Sequence, residues 1–187
     1  MRLRLLAFAA SRRERSLNRW LLDAAVAIAR GQDAEVDLAE FSAFDMPLFD
    51  ADMQERDGLP AGAHEFKRRI EAVDGLLIAS PEYNHSMPGT LKNAIDWVSR
   101  FRPVPFRGKS ALLLSASRNL VGGNRGLYAL RVPLEHLGVH VYPDMFSLAE
   151  ADKKLDAAGS LGDPAALERL ERMITGYCRA ARALSSA

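Results

Sequence analysis

Short apolar runs alternate with longer stretches of helical period along this chain, and the alternation limits its fold more than any other feature. Leu3 to Ala9, Glu35 to Leu38, Gly75 to Ser80, Ser110 to Ser115 and Val139 to Tyr142 have the length and composition of strands. Between and after them lie Ser16 to Arg30, Ala61 to Ala72, Thr90 to Arg100, Gly123 to Leu137 and Pro164 to Leu184, which read as helices. Leu91, Ala94, Ile95 and Val98 fall on one helical face, as do Leu167, Leu170, Ile174 and Tyr177. Asp163-Pro164 reads as a cap followed by proline in the first helical turn. Strands regularly alternating with helices imply an α/β protein with a parallel sheet and crossover helices.

Composition narrows what such a sheet can serve. At 187 residues and 48% hydrophobic, the chain reads as a single domain, 1–187, with a core that needs no disulfide or metal. Twenty-five basic and 24 acidic residues leave a net charge of +1, so no overall field recruits nucleic acid or an anionic membrane. The lone cysteine, Cys178, excludes an internal disulfide and cysteine-rich metal sites. Arg2, Arg4 and the apolar stretch Leu5 to Ala10 imitate a signal peptide, but the stretch runs straight into Arg12-Arg13-Glu14-Arg15 and reads better as a buried strand. A cytoplasmic protein is the expectation.

No composition shift marks an internal boundary. The 41–62 segment stands apart, with little periodicity, two prolines, two methionines and five acidic residues. Loops this long are functional or interface-forming, or they simply wander over the surface.

Three loops follow predicted strands, and in a parallel sheet all such loops open on the carboxyl edge where ligands bind. The first is Ala10-Ser11-Arg12-Arg13-Glu14-Arg15-Ser16-Leu17-Asn18, leading into an apolar helix. A helix N-terminus there offers free N–H groups and about half a positive charge to an anion. Ser11, Arg13, Ser16 and Asn18 have the chemistry to complete a phosphate cradle; equally, Ser16 is an ordinary N-cap residue and the arginines ordinary surface residues. The second runs from Ser80-Pro81-Glu82-Tyr83-Asn84-His85-Ser86-Met87-Pro88-Gly89 into Thr90-Leu91-Lys92-Asn93-Ala94-Ile95-Asp96-Trp97. Its prolines and glycine stiffen a turn whose main-chain N–H groups suit the polar edge of a flat heterocycle, with Tyr83 able to pack along the ring. The third, Ser115-Ala116-Ser117-Arg118-Asn119-Leu120-Val121-Gly122-Gly123-Asn124-Arg125, has glycines that allow close approach to a ligand, or is just a loop.

Other signatures fail. Gly108-Lys109-Ser110 resembles the end of a Walker loop, but Pro103 occupies the leading glycine position and a strand follows instead of a helix. No G-x-G-x-x-G occurs. His136 and His140 straddle Gly138 and lack the glutamate of H-E-x-x-H, and His85 has no partner at metal spacing, so no metal is assigned.

Taken together, the three loops resemble the NADPH-dependent FMN reductase family. The resemblance rests on Pro81-Glu82-Tyr83-Asn84, Ser86, Pro88-Gly89, Leu91-Lys92-Asn93-Ala94 and Asp96-Trp97. It is joined in order by Ser11 to Asn18, Met46-Pro47-Leu48, Gly122-Gly123 with Arg125, and Gly159-Ser160-Leu161. It implies a three-layer flavodoxin-like fold, with a five-stranded parallel sheet in the order 2-1-3-4-5 and helices on both faces. It implies FMN as cofactor, with phosphate contacts at Ser11, Arg13, Ser16 and Asn18, ring contacts at Pro81, Glu82, Tyr83 and Asn84, and Ser117 nearby. NADPH or NADH is the implied co-substrate, and a quinone, azo dye, chromate or flavin the implied electron acceptor. The family often has glycine where Ala10, Arg15 and Asn119 stand here.

On this reading no side chain is itself catalytic, because the cofactor carries the redox chemistry. Glu82 is expected to act through its backbone, with the amides of the Glu82 to Asn84 turn stabilising charge on the flavin. The resemblance also implies a homodimer or homotetramer, with 41–62 and 97–106 as interface candidates. Arg100, Arg102 and Arg107 are alternatively candidates for the extra phosphate of NADPH. A flavodoxin-type electron carrier is the competing function, but such carriers are typically strongly acidic and this chain is neutral.

Overall fold

Helices return across the faces of the sheet between most of its successive strands. A computed structural model describes residues 2–156, 158 and 160–185. Gly159, part of the resemblance above, lies outside the described residues. The elements run β1 (Leu3–Ala9), α1 (Leu17–Gly31), β2 (Ala34–Ala39), α2 (Ala51–Asp57), α3 (Ala61–Glu71), β3 (Gly75–Ala79), α4 (Gly89–Val98), β4 (Ser110–Ala116), α5 (Asn124–His136), β5 (His140–Val141), β6 (Phe146–Leu148) and α6 (Pro164–Ser185).

All strand pairs are parallel, in the order β2-β1-β3-β4-β5, with β6 also on β4. This is the expected flavodoxin-like topology, except that the fifth strand comes in two pieces. β5 pairs with the start of β4, at Ser110↔His140, and β6 with its end, at Leu114↔Phe146. Pro143 lies in the gap between them, and a residue without an N–H cannot continue the ladder.

Alternation along β1 sends its side chains to two separate cores. Leu5, Ala7 and Ala9 pack with α1 and α6, while Leu6 and Phe8 face α3, α4 and α5. Both faces being covered, the strands read as continuous apolar runs instead of alternating ones. On the second face, Phe8 meets Phe66 edge-on at 5.4 Å, and Phe66 stacks on Phe44 at 4.3 Å.

The 41–62 segment is more ordered than its sequence indicates. A single 3₁₀ turn, Phe41–Phe44, plugs two buried phenylalanines into the aromatic cluster. α2 buries no residue, so it carries no apolar stripe to find; it forms with the help of the Asp50 side chain, which accepts the Met53 N–H at 2.9 Å. Between them the chain is strapped to α4. Asn93 Oδ1 accepts the Phe49 N–H at 2.8 Å, and Asn93 Nδ2 and Trp97 Nε1 both donate to the Pro47 carbonyl, at 2.8 and 2.7 Å. These i, i+4 partners give a structural purpose to two residues of the long motif.

The sheet's other edge is closed by Tyr177 of α6. Its hydroxyl donates to the Leu76 carbonyl at 3.0 Å and lies 3.2 Å from Ser110 Oγ, and burial pushes the phenol above its ordinary pKa. Gly75 leaves room for this contact: a Cβ there would sit 2.3 Å from Ser110 Oγ and 2.4 Å from the Tyr177 hydroxyl. Gly75→Ala is therefore expected to destabilise the protein by roughly 1–3 kcal/mol through overpacking. Gly31→Ala, at an open helical position with nothing within 4 Å, is expected to stabilise it by about 0.5–1 kcal/mol. Urea midpoints at unchanged slope check both.

Candidate functional site

Because every strand is parallel, the carboxyl ends of β1, β3 and β4 lie side by side, and the three loops open together. Ser11, Arg13, Ser16 and Asn18 from the first, Pro81, Glu82 and Tyr83 from the second, and Ser117 from the third line one cavity of about 600 Å3. Asn84 is the one candidate outside that lining; it sits at the exposed tip of the second turn.

The first turn presents unpaired hydrogen-bond donors. The Ser16 hydroxyl caps α1 by accepting the Arg19 N–H at 3.4 Å, while the Leu17 and Asn18 N–H groups have no partner among the described residues. These are the orphan donors of a helix start, aligned with its dipole. Arg12 pairs with Asp45 at 2.8 Å, but the guanidinium groups of Arg13 and Arg15 have no acidic partner among the described residues. Arg15 lines the cavity, so the family's missing glycine leaves a cation at the site.

Asn18 behaves differently from the reading of its sequence position. Its side chain is buried and bonded at both ends to β4: Nδ2 donates to the Ala116 carbonyl at 3.0 Å, and Oδ1 accepts the Ala116 N–H at 3.0 Å. Only its main-chain N–H is left for a phosphate. The clamp joins the start of α1 to the end of β4, across 98 residues of sequence.

The second turn is a tight hairpin. Tyr83 and Ser86 exchange both main-chain hydrogen bonds, at 2.9 and 3.0 Å, and the central residues Asn84 and His85 have φ of 50° and 62°. Two positive φ values define a type I′ turn, which asparagine tolerates better than histidine. His85 is held by a 2.8 Å contact from Arg125 Nη1 to its Nε2. The main-chain N–H groups of Glu82, Asn84 and His85 have no partner among the described residues. Tyr83 is 54% exposed, free to cover a flat ligand.

In the third loop, Ser117 Oγ accepts the Asn119 N–H at 3.1 Å, and Asn119 is not left-handed; Gly122 and Gly123, at φ of 67° and 84°, make the turn into α5. Arg118 and Asp152, 3.7 Å apart, also line the cavity and escaped the sequence reading. Arg118 stands one residue after Ser117, but nothing in sequence places Asp152 beside it.

Arg100, Arg102 and Arg107 lie elsewhere. They follow the end of α4, before β4 begins, on the amino edge of the sheet, where Arg102 donates to the Ser99 and Phe101 carbonyls at 2.8 Å. Within one chain they do not reach the cavity. No group of three or more His, Cys, Asp or Glu among the described residues is arranged to hold a metal, and no described helix is long and apolar enough to cross a membrane.

A doubly wound parallel sheet whose first helix starts with unpaired N–H groups beside a turn with further unpaired amides defines a flavodoxin-like fold with the features of a nucleotide-cofactor site. Comparison with known proteins narrows this. The family model for NADPH-dependent FMN reductase matches residues 3–153, and the chain belongs to that family. It is 38% identical to a quinone reductase of Escherichia coli over 71% of this chain and 72% of that protein. It is 37% identical to an NAD(P)H-dependent FMN reductase of Pseudomonas aeruginosa over 92% and 91% of the two chains. Among solved structures, a flavoenzyme NAD(P)H:(acceptor) oxidoreductase from Paracoccus denitrificans superposes with a TM-score of 0.83 at 26% identity, covering 96% of this chain and 97% of that one. The protein is thus an FMN-dependent NAD(P)H oxidoreductase.

Replacing Asn18 by Ala strands a buried N–H and a buried carbonyl at Ala116. A loss of roughly 2 kcal/mol or more is expected in denaturant unfolding, against little change for Arg15→Ala on the exposed rim.

Proposed function

We propose that this protein carries out the net reaction NAD(P)H + H+ + quinone → NAD(P)+ + hydroquinone, with each substrate in turn using one open face above the flavin. The observation that carries this reading is the single cavity joining the start of α1, with its unpaired amides and the arginines Arg13 and Arg15, to Pro81, Glu82 and Tyr83 of the second turn. Bound FMN would supply the two-electron chemistry.

The chain's own residues divide that work. The N–H groups of Leu17 and Asn18, the hydroxyls of Ser11 and Ser16, and the guanidinium of Arg13 hold the phosphate, with Arg15 as an additional cation. Pro81, Glu82, Tyr83 and Ser117, which line the cavity, would border the ring, with Asn84 at the tip of the same turn, and the unpaired N–H groups of that turn would supply hydrogen-bond donors to negative charge on it. Tyr83 shields the ring from water. No side chain need donate a proton for the transfer itself.

We place the quinone above the ring on the strength of the relatives' activity, and we place the protein in the cytoplasm, where NAD(P)H is generated. We also infer that copies of the chain pair as a homodimer or homotetramer. Leu48, 81% exposed on the strapped segment beside α4, and Leu120, 82% exposed in the third loop, are apolar side chains that such a contact would cover.

Two measurements test this. Under anaerobic conditions NADPH or NADH should rapidly bleach the protein's visible flavin absorbance, and a quinone should restore it; a flavin that ignores both nicotinamides would overturn the reading. Arg13→Ala should weaken FMN binding about tenfold or more while leaving riboflavin, which lacks the phosphate, unaffected. Equal losses for both ligands would remove Arg13 from the phosphate site.

A further inference from the structure

Helix α5 begins without a cap of its own. Its N-cap residue is Gly123, which has no side chain to accept a hydrogen bond, and no acidic residue stands in its first turn. The missing acceptor comes from another loop. Glu82 Oε2 accepts the Gly126 N–H at 3.0 Å, and Glu82 Oε1 lies 3.9 Å from Arg125 Nη1. Arg125 in turn reaches His85, at the far side of the same turn. The Glu82 side chain is only 14% exposed.

The packing agrees with the bonding. A Cβ on Gly126 would fall 3.0 Å from the Ser86 carbonyl oxygen and 3.1 Å from Glu82 Cα, so the backbone of the second turn lies directly on the first turn of α5. Glu82 and Gly126 are 44 residues apart in sequence and belong to the loops after β3 and β4. A carboxylate at this place satisfies an orphan N–H and complements the helix dipole at the same time. It also ties the base of the hairpin, where Glu82 lines the cavity, to the start of α5.

We propose that the Glu82 carboxylate is a positioning residue: by capping α5 it fixes the turn that receives the flavin ring, and it acts on ring affinity without touching the phosphate. This deepens the backbone role expected for Glu82 and rests on the flavin reading above. Its chemical consequence is specific. Loss of the cap should loosen the ring's contacts, which FMN and riboflavin share, and leave the phosphate cradle at the start of α1 intact.

The test compares Glu82→Gln, whose amide oxygen still accepts the Gly126 N–H, with Glu82→Met, which fills similar volume and accepts nothing. Dissociation constants for FMN and riboflavin are measured for both variants and the parent, with thermal melting of each flavin-free protein as a check on folding. The expected result is a loss of about tenfold for Glu82→Met, equal for both flavins, with Glu82→Gln within about twofold of the parent. Parent-like binding of both flavins by Glu82→Met would overturn the proposal. So would a loss confined to FMN, or a Gln variant as weak as the Met variant. If Glu82→Met does not fold, Glu82→Gln together with Glu82→Ala carries the same comparison. Failure of the parent to bind any flavin would instead sink the functional reading itself, so the two failures are distinguishable.

Discussion

The two hydrogen bonds between Asn18 and Ala116 are the constraint on which the site depends. They are buried, and they join the first turn of α1 to the end of β4 although β3 lies between β1 and β4 in the sheet. A parallel sheet brings its loops to one edge, but only roughly; loops are the least stable parts of a fold. The clamp sets the helix start, with its unpaired N–H groups, at a defined distance from the Ser117 loop. Glu82 plays the corresponding part between the second loop and α5. The three loops are thus tied to one another by polar side chains whose charges or amides are used up in the tying.

That economy explains which parts of the site the sequence reveals. The strand-helix alternation is written in the apolar periodicity, because both faces of the sheet are covered and the helices that cover them each bury an apolar stripe. The position of the cavity follows from the topology alone. Residues such as Ser11, Ser16 and Tyr83 stand in local turns, and local chemistry identifies them. Asn18 and Glu82 stand in the same turns; the Asn18 side chain turns inward to Ala116 instead of to the cavity, and the Glu82 carboxylate turns to Gly126, in keeping with the backbone role expected for that residue. Whether a polar side chain faces a ligand or a distant backbone group is decided by tertiary contacts 98 and 44 residues away, which no local pattern encodes.

The irregular segment before α3 makes the same point for the fold. Phe41 and Phe44 are ordered by a cluster that includes Phe8 and Phe66, and Pro47 to Phe49 by Asn93 and Trp97. Its short helix α2 rests on a local cap and has no fully buried residue, only Met53 packing partly against the core, so a search for amphipathic stripes passes over it. The split of the fifth strand, by contrast, was within reach, since Pro143 is visible in the sequence and cannot donate to a ladder.

The central claim is that three separate loops receive one flavin nucleotide. Titration of the isotopically labelled, flavin-free protein with FMN, followed by amide resonances, tests it most directly. The account predicts that Arg15 to Asn18, Glu82 to His85 and Ser117 to Asn119 respond together and saturate at one concentration, while residues 99–109 at the opposite edge stay still. Shifts limited to a single loop, or centred on that opposite edge, would contradict it.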